Sequence, residues 1–202
     1  MNSIKTTLTV FLLLILTTLN GVFAAPKYIV DSDNSVVNFS TIKKQYVVEP
    51  AVFEGITGSI SESGKVEINI NLSTVNTNIS IRDQRLKALF FKVVKFPQAT
   101  IKATIDMKKF KSIRDYKRME IPATLKFYDV SKKIKLKVLV AKVYKKKLLV
   151  TSMKPIIINA NDYGIPAKNL MVLSKTVGGL SLSNKVAVNF VLSFAHNVIA
   201  KK

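Results

Sequence analysis

Along much of this chain apolar and polar residues alternate one by one. In residues 65–73, KVEININLS, Val66, Ile68, Ile70 and Leu72 fall on one side, and Glu67, Asn69 and Asn71 on the other. In 99–107, ATIKATIDM, Ala99, Ile101, Ala103, Ile105 and Met107 oppose Thr100, Lys102, Thr104 and Asp106. In 132–140, KKIKLKVLV, Ile134, Leu136, Val138 and Val140 oppose lysines, and in 185–194, KVAVNFVLSF, Val186, Val188, Phe190, Leu192 and Phe194 share a face. Side chains change face at every residue of a strand, so this period marks half-buried antiparallel strands. Weaker versions occur at 35–42, 51–62, 118–128 and 147–160. These eight segments are separated by short turns such as Ser63-Gly64 and Lys145–Lys147. Eight strands with one apolar face each suit closure into an antiparallel β-barrel, which leaves no exposed edge. A two-sheet sandwich satisfies the same pattern.

One stretch breaks the alternation. In NISIRDQRLKALFFKVVKFP, residues 78–97, Leu86, Leu89, Phe90 and Val93 recur at i, i+3, i+4 and i+7. That spacing predicts an amphipathic helix over 80–95, with Ser80 as N-cap, Asp83 three residues on as in a capping box, and Pro97 as terminator. Such a helix joins two strands and lies across or beside one barrel end with Leu86 and Phe90 inward. Phe91 then points elsewhere or to an opening. A second short helix is expected at 167–176, with Leu170 and Leu173 inward and Gly178-Gly179 ending it.

The first 24 residues read as a secretory signal: Lys5, an apolar run from Leu8 to Leu16, then Val22 and Ala24 at the spacing a signal peptidase accepts. The run is shorter than the ~20 residues a bilayer requires. Residues 25–202 form one domain in this reading, with no linker, repeat or low-complexity tract, and the expected location is periplasmic or secreted. With no cysteine, the fold has no disulfide and no lipid-attachment thiol. Net charge is +20. A balance this basic favours polyanions, and an anionic membrane surface suits an exported protein better than nucleic acid does.

Catalytic chemistry finds little support. The single histidine, His196, sits at the end of the last strand and reads as an ordinary surface residue. The 12 acids show no metal-ligand spacing. Arg82 and Asp83 read as structural, Asp83 helping to start the helix and Arg82 bonding carbonyls or a carboxylate at the rim. Phe39, Phe53, Phe90, Phe127, Phe190 and Phe194 are expected to point inward. Each alone is plain core packing; together on a barrel they line a tunnel. With Ile68, Leu72, Leu86, Ile101 and Leu136 they are the candidate barrel-lining residues.

The order of segments resembles the YceI-like family of exported bacterial proteins. The similarity is clearest in INLSTVNTNISIRDQRLKALFFKVVKFPQATI, residues 70–101, with its strand, Ser-x-x-Thr, Arg-Asp-x-x-Leu, Phe-Phe and Phe-Pro. FEGITGSISESGKVEI at 53–68, PATLKFYDVSKKIKLKV at 122–138 and INANDYGIP at 158–166 extend it over the whole mature chain. Many members carry histidines near the first strand; this chain has Asn34 and Lys43-Lys44 instead, and Tyr128-Asp129 stands where a glycine is usual, so no family role attaches to those positions. The resemblance implies a lipocalin-like barrel whose apolar tunnel holds an isoprenoid chain, such as the tail of a quinone or polyprenol, and no catalytic cofactor. The expected function is that of an exported, non-catalytic carrier of a long-chain amphiphile. The alternative is a cationic interaction module with a solid barrel that binds an anionic surface or a protein partner. Monomer and dimer are equally open.

Overall fold

The computed structural model of the chain describes residues 26–197; the expected signal segment lies outside the described residues. Eleven strands form a single antiparallel sheet. They are β1 (Pro26–Lys43), β2 (Val47–Phe53), β3 (Ile56–Ser61), β4 (Lys65–Asn71), β5 (Val75–Asn76), β6 (Gln98–Thr104), β7 (Tyr116–Phe127), β8 (Val130–Val143), β9 (Lys147–Ser152), β10 (Ile156–Asn159) and β11 (Lys185–His196). Eight of them close a ring in the order β1-β3-β4-β6-β7-β8-β9-β11, with β11 returning to β1.

The three remaining strands explain why the segments 51–62 and 147–160 read as single strands. Long β1 pairs with β3 through its first half and with β2 through its second, so β2 and β3 are one line of strand broken at Glu54-Gly55. The break is where the 3-10 turn Leu72–Thr74 packs in: Thr74 Oγ1 accepts from the Gly55 N–H, and a Cβ at Gly55 would stand 2.5 Å from Thr74 Cγ2. Likewise β9 and β10 both run along β11, interrupted at Pro155, which has no N–H for a ladder. Two-residue β5 adds to the edge of β2. The first strand is longer than the expected 35–42 because a bulge between Asp31 and Val36 lets it bend and continue. Ser35 fills that bulge, donating to the Asp31 carbonyl and accepting from the Ser193 N–H.

The sequence pattern places a helix at 80–95; the structure has an α-helix, α1 (Ser80–Arg85), that passes into a π-helical turn over Leu86–Phe91. Termination comes at Lys92, which takes left-handed φ = 54° where helices favour glycine, with the Val93 N–H bonding back to the Lys87 carbonyl. Pro97 lies five residues beyond and does not end the helix. Nor is Ser80 the N-cap. The extended residue before the helix is Ile79, which has no side-chain oxygen, and Asp83 instead reaches back out of the helix to Thr77. Helix α3 (Ala167–Lys175) occupies the expected 167–176 region, and Gly178 and Gly179 follow it with positive φ.

A third helix, α2 (Met107–Lys111), was not expected, since Ile105 and Met107 continue the strand alternation. Asp106 starts it: its carboxylate accepts from the backbone N–H groups of Lys108 and Lys109. The turn carries Phe110 into the barrel. With alternate strands running in opposite directions, α1, the π turn, α3 and residues 177–184 gather at one end, and α2 sits at the other.

Candidate binding cavity

The barrel is hollow. A cavity of about 430 Å³ runs through its interior, within the ~300–1,000 Å³ range of small-molecule sites. Its wall comes from the inward face of every strand of the ring, so the alternation read in the sequence becomes a continuous apolar lining. All of the barrel-lining candidates face this space: Phe39, Phe53, Ile68, Leu72, Leu86, Phe90, Ile101, Phe127, Leu136, Phe190 and Phe194. The Phe39 and Phe53 rings stack at 5.1 Å.

Phe91 also lines the cavity, contrary to the expectation that it points away from Phe90's face. The π turn is the reason. Its i→i+5 bonding places residues five apart on one side, so Leu86 and Phe91 both turn inward and are 7% and 5% exposed. Phe91 meets Phe53 edge-on at 5.7 Å and Phe90 at 5.1 Å. Periodicity alone did not reveal this, because a 3.6-residue template cannot bring 86 and 91 together. Phe110 is another lining residue that reasoning from the sequence missed; its signal was Asp106 as a helix N-cap directly after a strand.

The two ends differ. At the α2 end, Tyr28, Ile60, Ile105, Phe110, Ile113 and Phe194 are all under a tenth exposed, so that end is plugged. Tyr28 stands edge-on to both Phe110 and His196, and burial raises its hydroxyl pKa. His196 is therefore half-buried, with Nδ1 buried and unbonded, rather than a free surface residue. At the opposite end the lining reaches solvent between three segments: the β1–β2 tip with Ile42, Lys43 and Glu49; residues 77–85; and the 177–184 stretch. Ile42, Ile79, Ile81 and Val177 on this rim are all more than a third exposed.

The polar groups of the site are confined to that mouth. Arg82 Nη1 stands 2.9 Å from Glu49 Oε2, and Lys43 bridges the other carboxylate oxygen. Hydrogen bonds from Lys43 and Arg82 hold the Glu49 carboxyl below its ordinary pKa. Arg85 also lines the mouth. Asp83 points away from it: Oδ1 accepts from the Thr77 N–H at 2.9 Å and hydroxyl at 2.6 Å. Ser80 is exposed and does not line the cavity.

A smaller hollow of about 290 Å³ adjoins the first beneath α3, separated by Phe90 and Leu170. Asn169 fixes this partition by donating to the Phe90 carbonyl at 3.0 Å and to Tyr128 Oη at 3.2 Å. Among the described residues no group of three or more His, Cys, Asp or Glu is placed to hold a metal.

A closed eight-stranded barrel with an apolar hollow, plugged at one end, is a lipocalin-like binding barrel. The chain belongs to the YceI-like domain family, whose sequence profile matches residues 28–194. No curated relative matches it. Among solved structures it is similar to a polyisoprenoid-binding domain from Saccharophagus degradans implicated in plant cell wall breakdown, at 27% identity and a TM-score of 0.81, covering 86% of this chain and 100% of that one. BcnA of Burkholderia cenocepacia shares the fold at 13% identity and a TM-score of 0.62, covering 81% of this chain and 98% of that chain.

Proposed function

We propose that the chain is an exported carrier that holds one long, slim amphiphile with its apolar tail in the barrel and its polar end at the mouth. The single observation that carries this reading is the continuous apolar cavity with charge only at one opening. An isoprenoid tail, as in a quinone or polyprenol, is the ligand class we favour, supported by the polyisoprenoid-binding description of the Saccharophagus domain. Export rests on the signal-like sequence of residues 1–24. A solid cationic module fits less well, because the barrel has room inside.

Magnitudes decide which tails stay bound. Burial is worth about 0.8 kcal/mol per CH₂, while association costs roughly 4–15 kcal/mol in lost freedom. A tail of a few carbons is lost on purification, whereas one of about 20 remains. Protein expressed with its leader and isolated from the periplasm should therefore yield a long-tailed amphiphile on organic extraction, and not on washing with salt. Ala103→Phe, which fills the cavity from β6 without adding charge, should give a folded protein with little or no extractable lipid. Extracts free of amphiphile from the unaltered protein would reject the carrier reading.

A further inference from the structure

The mouth is surrounded by apolar side chains that stay exposed to solvent. At the tip between β1 and β2, Tyr46 is 79% exposed and Val48 60%. Across the opening, Ile79 and Ile81 at the start of α1 are 43% and 50% exposed. The tip is not a loose loop. The Lys44 N–H bonds the Ser181 carbonyl at 2.8 Å, the Ser183 N–H bonds the Ile42 carbonyl at 2.8 Å, and Arg82 ties α1 to Glu49 on β2. These aliphatic and aromatic side chains therefore stand on a fixed rim.

The same rim is basic. Its segments 41–49, 77–87 and 175–184 carry six cations against two carboxylates. Both carboxylates are engaged, Glu49 by Lys43 and Arg82, and Asp83 by Thr77. Among the described residues Lys44, Arg85, Lys87 and Lys175 form no salt bridge, and the rim stays positive.

We propose that this rim docks the barrel, mouth first, onto an anionic lipid bilayer. Three features select a membrane over an acidic protein. The exposed apolar groups ring an opening rather than forming one flat patch. A tyrosine and aliphatic side chains beside lysines and arginines are what an interfacial surface carries, the apolar groups entering the acyl boundary and the cations meeting headgroups. The opening leads to an apolar cavity, and a water-insoluble tail passes between bilayer and barrel without crossing solvent only if the mouth meets the bilayer. For this last point the inference rests on the carrier reading; the other two stand on the surface itself.

The chain contains no tryptophan, so one introduced residue reports alone. Tyr46→Trp places the reporter on the rim, and Val143→Trp places it on an exposed position at the α2 end. With vesicles of phosphatidylcholine and phosphatidylglycerol, emission from Tyr46→Trp should shift to the blue and be quenched by lipids brominated on the acyl chain. Val143→Trp should do neither. Adding Ile79→Asp and Ile81→Asp to Tyr46→Trp should abolish the quenching while far-ultraviolet circular dichroism stays unchanged. Equal responses at both ends would indicate a general cationic coating and overturn the proposal. No response at Tyr46→Trp would also overturn it, as would a blue shift without vesicles that grows with protein concentration, which would assign the rim to self-association. Extracting the same preparations separates this proposal from the carrier reading. A barrel free of amphiphile whose rim still responds supports docking and removes the carrier; a loaded barrel whose rim is silent overturns docking alone.

Discussion

Asp83 holds a residue outside its own helix. Thr77 is buried, and both its N–H and its hydroxyl donate to Asp83 Oδ1. Asp83→Ala leaves those donors without the carboxylate, and a hydrogen bond to a charged group is worth about 1.5–3 kcal/mol. A fall of that order should appear as a lower urea midpoint, and an unchanged midpoint would mean that water replaces the carboxylate at no cost. Glu49 acts differently, because it is an ion pair at the edge of the mouth. Its folded pKa lies below the unfolded one, so its contribution is present above the ordinary carboxylate range and is lost as pH falls through the folded value. The stability difference between wild type and Glu49→Gln should hold from neutral pH down to about pH 4–5 and close in stronger acid. Urea midpoints across that series measure it; a difference that persists in strong acid would assign the effect to packing. Neither partner was legible in the sequence. Thr77 and Asp83 are six apart across a turn with Asn78 at φ = 60°, and Glu49 meets Arg82 over 33 residues. The first depends on the left-handed turn at Asn78 and the second on β2 meeting α1 at the mouth, and no repeat in the sequence encodes either.

Strands β4, β6, β8 and β11 were readable because each keeps one face wet and one face dry, and the burial of Ile68, Leu136 and Phe190 follows from that rule. The elements that misled are those where hydrogen bonding departs from the repeat. At β2 and β9 the apolar pattern continues through Gly55 and Pro155 although the ladder stops, since the chain resumes along the same neighbouring strand in the same direction. Helix α2 was hidden because Met107 keeps the strand's phase while Asp106 has already begun a helical turn. The π turn extends α1 by a geometry whose period is not 3.6. It survives because its last carbonyls find partners, and Asn169 on α3 supplies one of them. Asn169 is 4% exposed, so Asn169→Ala strands the Phe90 carbonyl and the Tyr128 hydroxyl together. A loss of about 1–3 kcal/mol is expected, with faster amide hydrogen exchange in residues 86–92 than in the barrel strands. Exchange slowed uniformly or unchanged in that segment would show that the turn stands without α3.

As a whole the molecule is a cationic shell around an apolar interior. Most of its outer lysines have few acids to meet: Glu120 is shared between Lys135 and Lys137, and Glu67 faces Lys102, all on exposed strand faces. Pairs of that kind contribute about 0–1 kcal/mol each, so the shell does little for stability, and closure of the apolar sheet carries the fold. The plugged end has a further consequence. For a carrier of the kind proposed above, a blind-ended cavity is a ruler: it would measure cargo from its floor, and a tail longer than the scale would leave its polar end stranded outside the mouth. The floor mark is Phe110, held by a helix of five residues at the end farthest from the opening. Length discrimination would then reside in a buried side chain at the end away from the mouth. Phe110→Leu, which keeps an apolar floor but lowers it, should move the distribution of extracted tails toward longer chains by mass spectrometry, with the headgroup class unchanged. An identical distribution would place the measuring point elsewhere along the wall. On this scale, the proposed cargoes that share a headgroup would compete by length, and changes in the five-residue helix at the end away from the opening would re-index the barrel for a different chain.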